Sequence, residues 1–293
     1  DMRQFKKLRM FLHAEALQDN TLADDEMVAF LRFGNDFTEN FYQIEIPLKV
    51  TPPGSTAPDV IWPLDNEIEL PLDFLTKLKI LNINNDPSII VDPNGIGFVE
   101  EEDPVIGSSN NKLTLGIKGN PNLAGMKVIM VGVRNPDDQF NNTWLPDDGL
   151  EKCAEVWVNE LRLTNFKQNG GWASTAKVNA QLADFGNLAV SGNYSTPGWG
   201  SIEKKVSERQ REFQKGFDFS SNFEMGQFFG RKIGIQLPLY IGYSVAAIDP
   251  EYDLTAPDVR LKEYDRPTQK VKTQNSRDLT VRKSYNFTNV RKE

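Results

Sequence analysis

Hydrophobic residues in this chain recur mostly with a period of two, and they do so in two different styles. In the first style the runs are short and bounded by turns. Leu8, Met10, Leu12 and Ala14 alternate with Lys7, Arg9, Phe11, His13 and Glu15, the rhythm of a half-buried strand. Residues 27–33 and 41–50 predict two more strands, and in the second Tyr42, Ile44, Ile46 and Leu48 share a face. Gly34-Asn35-Asp36 between them is a turn signal, and Thr51-Pro52-Pro53-Gly54 ends the second strand, since neither proline can donate to a ladder. Pro71 followed by Leu72, Leu75 and Leu78 on one stripe predicts a helix over 71–82. Residues 112–118, 127–134 and 154–163 predict three further strands. Within them Val128-Ile129-Met130-Val131 is apolar on both faces and predicts a central strand.

In the second style the alternating runs are longer and the apolar side is bulkier. Trp172, Ala176, Val178, Ala180 and Leu182 face away from Thr175, Lys177, Asn179 and Gln181. The same holds for Leu188, Val190 and Tyr194; for Phe217, Phe219, Phe223 and Met225; and for Leu279, Val281, Tyr285 and Phe287. A run over 233–243 places Ile233, Ile235, Leu237, Leu239, Ile241 and Tyr243 on one face. Nine to eleven residues is about the length of a tilted membrane strand, and one apolar face against one small or polar face is what a barrel with a wet lumen requires. Trp172, Tyr194, Trp199, Phe228, Phe229 and Tyr243 fall near the ends of these runs, where interfacial aromatics sit. Asp184-Phe185-Gly186-Asn187 predicts a hairpin turn. Residues 201–215 are rich in helix formers and predict a helical insert, and 250–275 predicts a long polar loop. A second soluble sandwich also alternates; strand length and apolar bulk favour the barrel.

Charge marks the join between the two styles. Residues 1–165 hold 14 Lys/Arg against 27 Asp/Glu, whereas 166–293 hold 19 against 14, so the net changes from −13 to +5. The expected organisation is an all-β chain in two parts. Residues 1–168 form a jelly-roll-like (galactose-binding-like) β-sandwich, and residues 169–293 contribute antiparallel strands of a large outer-membrane β-barrel. No stretch approaches the ~20 apolar residues of a membrane helix. The chain opens at Asp1 without a basic or apolar leader and reads as a piece of something longer, so a missing signal peptide says nothing of location.

Several stretches resemble the SprA (Sov) family. They are Arg32-Phe33-Gly34-Asn35-Asp36, Asn40-Phe41-Tyr42, Lys118-Gly119-Asn120-Pro121-Asn122-Leu123, the run from Glu155 to Leu163, the run from Tyr194 to Ser201, and Asp249-Pro250-Glu251-Tyr252. The resemblance extends from about residue 5 to 262 and is most specific after Gly170. It implies a fragment of the outer-membrane translocon of the Bacteroidetes type IX secretion system, which also serves gliding motility. It further implies a giant single-chain barrel that passes folded cargo and releases it sideways to a carrier barrel. The partners implied are the remainder of the same barrel chain, other secretion-system subunits, secreted cargo proteins and outer-membrane lipid. The soluble part would lie in the periplasm or at the cell surface.

Catalytic chemistry is not expected. His13 is the only histidine and Cys153 the only cysteine, so neither a Ser-His-Asp nor a Cys-His arrangement nor a zinc site can form within the chain. His13 on an alternating strand reads as a packed or surface residue, and Cys153 as a small boundary residue. No catalytic, cofactor-binding or metal residue is assigned, and no cofactor is expected. Asp24-Asp25-Glu26, residues 100–103, Asp137-Asp138 and Asp147-Asp148 are acidic loops that could hold calcium, but solvated charge is the plainer account. Asp92-Pro93-Asn94-Gly95 begins like a calcium loop without the closing Glu. Gly95-Ile96-Gly97 and Gly198-Trp199-Gly200 match no phosphate loop, and the basic residues lack the aromatic interleaving of a nucleic-acid platform. The alternative function is a carbohydrate-binding sandwich module of a surface glycan-processing protein, with Trp62, Trp144 or Trp157 as sugar platforms.

Overall fold

Strand pairing in the computed structural model falls into two units. The structure describes residues 1–17, 21–99, 113–136, 149–168, 170–205, 208–229 and 233–292. The first unit comprises Asp1–Lys167 and Ala256–Val259, and the second comprises Gln168–Thr255 and Arg260–Glu293. The chain is predominantly β, in antiparallel sheets.

The first unit builds two sheets. β1 (Phe5–Ala16) lies between β4 (Glu67–Pro71) and β9 (Ala154–Phe166). The second sheet has the order β5 (Ile89–Val91), β6 (Gly97–Val99), β7 (Thr114–Lys118), β3 (Phe41–Pro47), β2 (Val28–Gly34), β8 (Val128–Arg134). Leu8, Met10, Leu12 and Ala14 of β1 share one buried cluster with Leu31 and Phe33 of β2, Tyr42, Ile44 and Ile46 of β3, and Leu115 and Ile117 of β7. The two short helices are α1 (Pro58–Ile61) and α2 (Asp73–Ile83). α2 closes that core with Leu75 and Leu78, just after the buried Leu72. The opposite side of β1 is polar. Lys7 bonds Glu69 at 2.5 Å and Arg9 bonds Glu67 at 2.6 Å, both across to β4. These are cross-strand pairs, which is why the period-two pattern of β1 is so regular.

The run Val128-Ile129-Met130-Val131 is not central. Among the described residues β8 pairs only with β2 and ends its sheet, leaving Ile129, Val131 and Val133 exposed. An apolar run on both faces reports the character of the faces, not the number of neighbours. β3 is the central strand, flanked by β2 and β7 and buried along six of its seven residues.

The second unit is a five-stranded meander of β10 (Ala173–Leu182), β11 (Gly186–Ser195), β12 (Glu212–Glu224), β14 (Pro238–Pro250) and β15 (Asp278–Phe287), each paired with the next. A two-stranded ribbon of β13 (Ile235–Gln236) and β16 (Arg291–Lys292) accompanies it. Three sequence expectations need correction here. First, the described residues of 201–215 form no α-helix; Glu212 to Lys215 already pair with β14, so tertiary pairing overrides local propensity. Second, the strand expected over 233–243 starts at Pro238 and runs to Pro250. A proline without an N–H suits the first position of a strand better than its middle. Tyr243 therefore lies mid-strand and not at an end. Third, the polar loop of 250–275 contains a helix, α3 (Arg266–Ser276), started by the Asp265 carboxylate accepting from the Thr268 amide. The β10–β11 hairpin turns through 183–185, with Ala183 at a φ of 45°.

Candidate functional site

Three of the stretches that carried the family resemblance, Arg32–Asp36, Asn40–Tyr42 and Lys118–Leu123, lie around one buried carboxylate. Asp258 belongs to the four residues grouped with the first unit. Its Oδ2 accepts from the Tyr42 hydroxyl at 2.8 Å and from Lys79 Nζ at 3.2 Å, and its Oδ1 accepts from the Leu123 amide at 2.5 Å. The Lys79 and Asp258 side chains are 1% and 0% exposed, so this is a charge pair taken wholly out of water. Lys79 also donates to the Pro121 carbonyl at 2.6 Å. The strand-to-loop segment after β7 is held in place by two further asparagines. Asn40 accepts from the Asn120 amide and Asn35 accepts from the Asn122 amide. Gly119 makes the turn at a φ of 62°, where a Cβ would stand 2.2 Å from the Glu39 carbonyl oxygen. Asp36 orders the preceding turn by accepting from the amides of Thr38, Glu39 and Asn40, which holds its carboxyl well below the usual range. Burial, with the Asp258 carboxylate beside it, pushes the Tyr42 hydroxyl well above its ordinary pKa, so it is a hydrogen-bond donor at all physiological pH.

The loop between β14 and β15 is organised by a second carboxylate. Asp253 accepts from the Thr255 amide, the Thr255 and Tyr264 hydroxyls and Lys272 Nζ, the last at 2.6 Å. Burial opposes its ionisation, but these donors prevail and bring its pKa down to about 2. A third, Asp249 at the end of β14, binds Lys215 at 2.8 Å and Arg277 at 2.5 Å.

The strand register of the second unit produces a two-sided surface. The row Val178–Val190–Phe219–Tyr243–Lys283 runs across all five strands on one side, and the next such row is Ala176–Gly192–Phe217–Val245–Val281. The intervening row, on the other side, is Lys177–Ser191–Asp218–Ser244–Arg282, beside Asn179–Ala189–Ser220–Gly242–Ser284. One face is thus aliphatic and aromatic, and the other is built from small and hydrogen-bonding residues. The apolar face is open, with Val178 63%, Tyr285 67% and Phe287 59% exposed. A sandwich would bury one face of such a sheet; among the described residues this face is buried only at Ser221, Ala247 and Asp249. Aromatic contacts bracket the strands. Trp172 and Tyr194 rings lie 5.1 Å apart at one end, and Phe185 contacts Phe223 and Phe228 at the other. On the apolar face the charged residues are Lys215 and Asp249, which pair near a strand end, and Lys283 in the centre row.

The residues weighed for chemistry lie apart from these features. His13 Nδ1 is 2.8 Å from the Ile61 carbonyl oxygen and 3.0 Å from the Thr51 hydroxyl, and its ring packs near Trp62. It is a packed core histidine with its polar atom engaged. Cys153 is exposed and free. Asp92 is consumed by the β5–β6 turn, accepting from the Asn94 and Ile96 amides. Asp24 accepts from the Val50 amide. Residues 100–103, Asp137-Asp138, Trp144 and Asp147-Asp148 lie outside the described residues. Among the described residues no group of three His, Cys, Asp or Glu is arranged to hold a metal ion. Trp157 is exposed on β9, with its indole N–H on Glu155, whereas Trp62 is half-buried beside α1. Sequence reasoning missed Asp258 entirely, because its partners stand 179 and 216 positions away.

No helix among the described residues is long and apolar enough to cross a membrane, which says nothing of strands. No curated protein matches the chain. The family model described as "motility related/secretion protein" matches residues 1–264, nine-tenths of the chain and every residue of the Asp258 cluster. The chain belongs to this SprA_N family of motility-related and secretion proteins.

Proposed function

We propose that this chain is part of the wall, and an attached soluble domain, of a protein-conducting translocon in the bacterial outer membrane. The observation that carries the proposal is the meander, five strands of 10 to 13 residues whose register gathers the large apolar side chains on one open face. In water such a face is a liability; in a bilayer it is the lipid-contacting band of a barrel. The opposite face, with Asn, Ser, Thr, Gly and a few charges, suits a hydrated lumen. Among the described residues β10 and β15 each have a strand neighbour on one side only, so the sheet continues through further strands if it closes into a barrel. Membership of a motility-related and secretion family supports the same account, and the resemblance of the sequence implies the type IX system and gliding. The partners are then the remaining barrel strands, other secretion subunits, cargo proteins and outer-membrane lipid.

In this account the chain is scaffold and wall, not catalyst. Its one histidine is held by Ile61 and Thr51, and its buried carboxylates serve as ties between segments. Cell fractionation tests the location. The intact protein should stay with the outer membrane through high-salt and alkaline-carbonate washes, and release by either wash would contradict the proposal.

A further inference from the structure

We propose that the side of β9 turned away from the core of the first unit is a binding surface for neutral hexose glycans, with the Trp157 ring as its platform. The inference stands apart from the wall reading, because every residue in it belongs to the first unit. Trp157 is 57% exposed, yet its ring is not loose. The indole N–H donates to the Glu155 carboxylate at 2.6 Å, from two residues along the same face of the strand. Across the ladder Trp157 stands opposite His13, whose ring lies 5.8 Å from that of Trp62. A large ring held in one orientation and left in water is a stacking surface without an occupant from its own sheet.

The surroundings of the ring select the chemistry that fits it. Glu15 and Glu155 are direct cross-strand partners, in the pair next to His13 and Trp157 on the same face. Like charges so placed are destabilising, and among the described residues neither has a lysine or arginine partner; Glu15 has only the His13 Nε2 at 3.7 Å. On the other flank Asn159 is exposed, and the Phe11 ring has the guanidiniums of Arg9 and Arg162 5.4 and 5.9 Å from its centre. The platform is thus one apolar ring inside a polar rim. A protein seated there would have to dry two carboxylates and the guanidiniums for little apolar area in return. A hexose matches both parts. Its C–H side covers the indole, and the hydroxyls at its edge donate to Glu155 and Glu15, bonds stronger than those between neutral groups. The same carboxylates repel uronic acids and sulfated sugars, which restricts the class to neutral glycans.

Screening the intact protein against immobilised gluco-, galacto- and manno-oligosaccharides, with polygalacturonate as the acidic comparison, tests this. The expected result is retention by at least one neutral oligosaccharide and none by polygalacturonate. Trp157→Ala should weaken that binding roughly ten-fold or more, the scale of one lost stacked ring, while its unfolding midpoint stays at that of the parent because the ring is exposed. Glu155→Gln, which keeps the ring in place, should weaken it by a smaller factor. Trp199→Ala, in the second unit, should bind as the parent does. Failure of every neutral oligosaccharide to bind would overturn the proposal, as would stronger binding of polygalacturonate or full affinity in either the Trp157 or the Glu155 variant. A loss in Trp199→Ala equal to that in Trp157→Ala would place the glycan elsewhere and overturn it too.

Discussion

Tyr42 donates its hydroxyl hydrogen to Asp258 at 2.8 Å, joining two fully buried residues that are 216 positions apart in the chain. Lys79 completes the cluster, so the first unit holds a buried ion pair whose carboxylate comes from a loop of the second half of the sequence. A buried pair of this kind adds little stability relative to apolar residues of equal volume, yet removing one partner is severe. Asp258→Ala should therefore destabilise the first unit by about 3–5 kcal/mol, because the Lys79 ammonium loses its carboxylate in a dry site. Combining it with Lys79→Met should recover a large part of that loss. Denaturant unfolding of the four proteins of this cycle measures the effect; additive losses would show that the two residues are not coupled.

A piece limited to residues 1–168 lacks Asp258 altogether. It should still unfold cooperatively on its two-sheet core, but at a lower temperature than the same unit in the whole chain. A peptide spanning residues 255–260 should raise that midpoint in proportion to the logarithm of its concentration, as any ligand of the folded state does. An unchanged midpoint at millimolar peptide would mean that 256–259 contributes nothing to the unit.

Gly119 is a separate test of the same neighbourhood. Its positive φ and the 2.2 Å approach of the Glu39 carbonyl to the place of a Cβ act together. Gly119→Ala should cost about 1–3 kcal/mol from the strained backbone and the clash. The same unfolding transition reads it, and a neutral result would contradict the turn geometry.

The Asp253 cluster gives a pH dependence with a defined sign. Its folded pKa of about 2 lies below that of an unfolded aspartate. The contribution to stability is full above about pH 4 and is lost as pH falls towards 2. Asp253→Asn should thus be less stable than the parent at pH 7, with the gap closing between about pH 4 and 2. A gap that stays constant over that range would show that Lys272, Thr255 and Tyr264 do not favour the ionised form.

Much of this architecture is legible in the sequence, and the rest is not for identifiable reasons. The alternation of Leu8 to Ala14 and of Phe217 to Phe223 is a local property, fixed by the pleat of a single strand, so strands and faces can be read directly. The edge position of β8 depends on which neighbours exist, and Val128 to Val131 carry no record of that. Glu212 to Lys215 are good helix formers that pair as strand because β14 is beside them. α3 was legible in principle from Asp265 and Pro267, but its mostly polar sequence has no apolar stripe to announce it. The Asp258 cluster is the least legible part. A lone aspartate in a polar loop looks solvated until Lys79 and Tyr42 are brought to it by the fold.

On the apolar face, Phe219→Arg in the intact protein should cost on the order of 2–4 kcal/mol if the strand spans the membrane, and Ser220→Arg much less. The comparison reads out as loss of folded protein in the outer membrane for the first variant only. Equal tolerance of both would remove the distinction between the two faces.

The account stands or falls on what touches β12. Single cysteines at 217, 219 and 223 in the intact protein, probed in its own membrane, should react with a lipid-phase reagent and resist an aqueous one. Cysteines at 218, 220 and 222 should do the reverse, since the register puts Asp218, Ser220 and Asn222 on the polar side. Protection of 217, 219 and 223 from both reagents would mean that they lie in a protein core, and the membrane wall would be refuted.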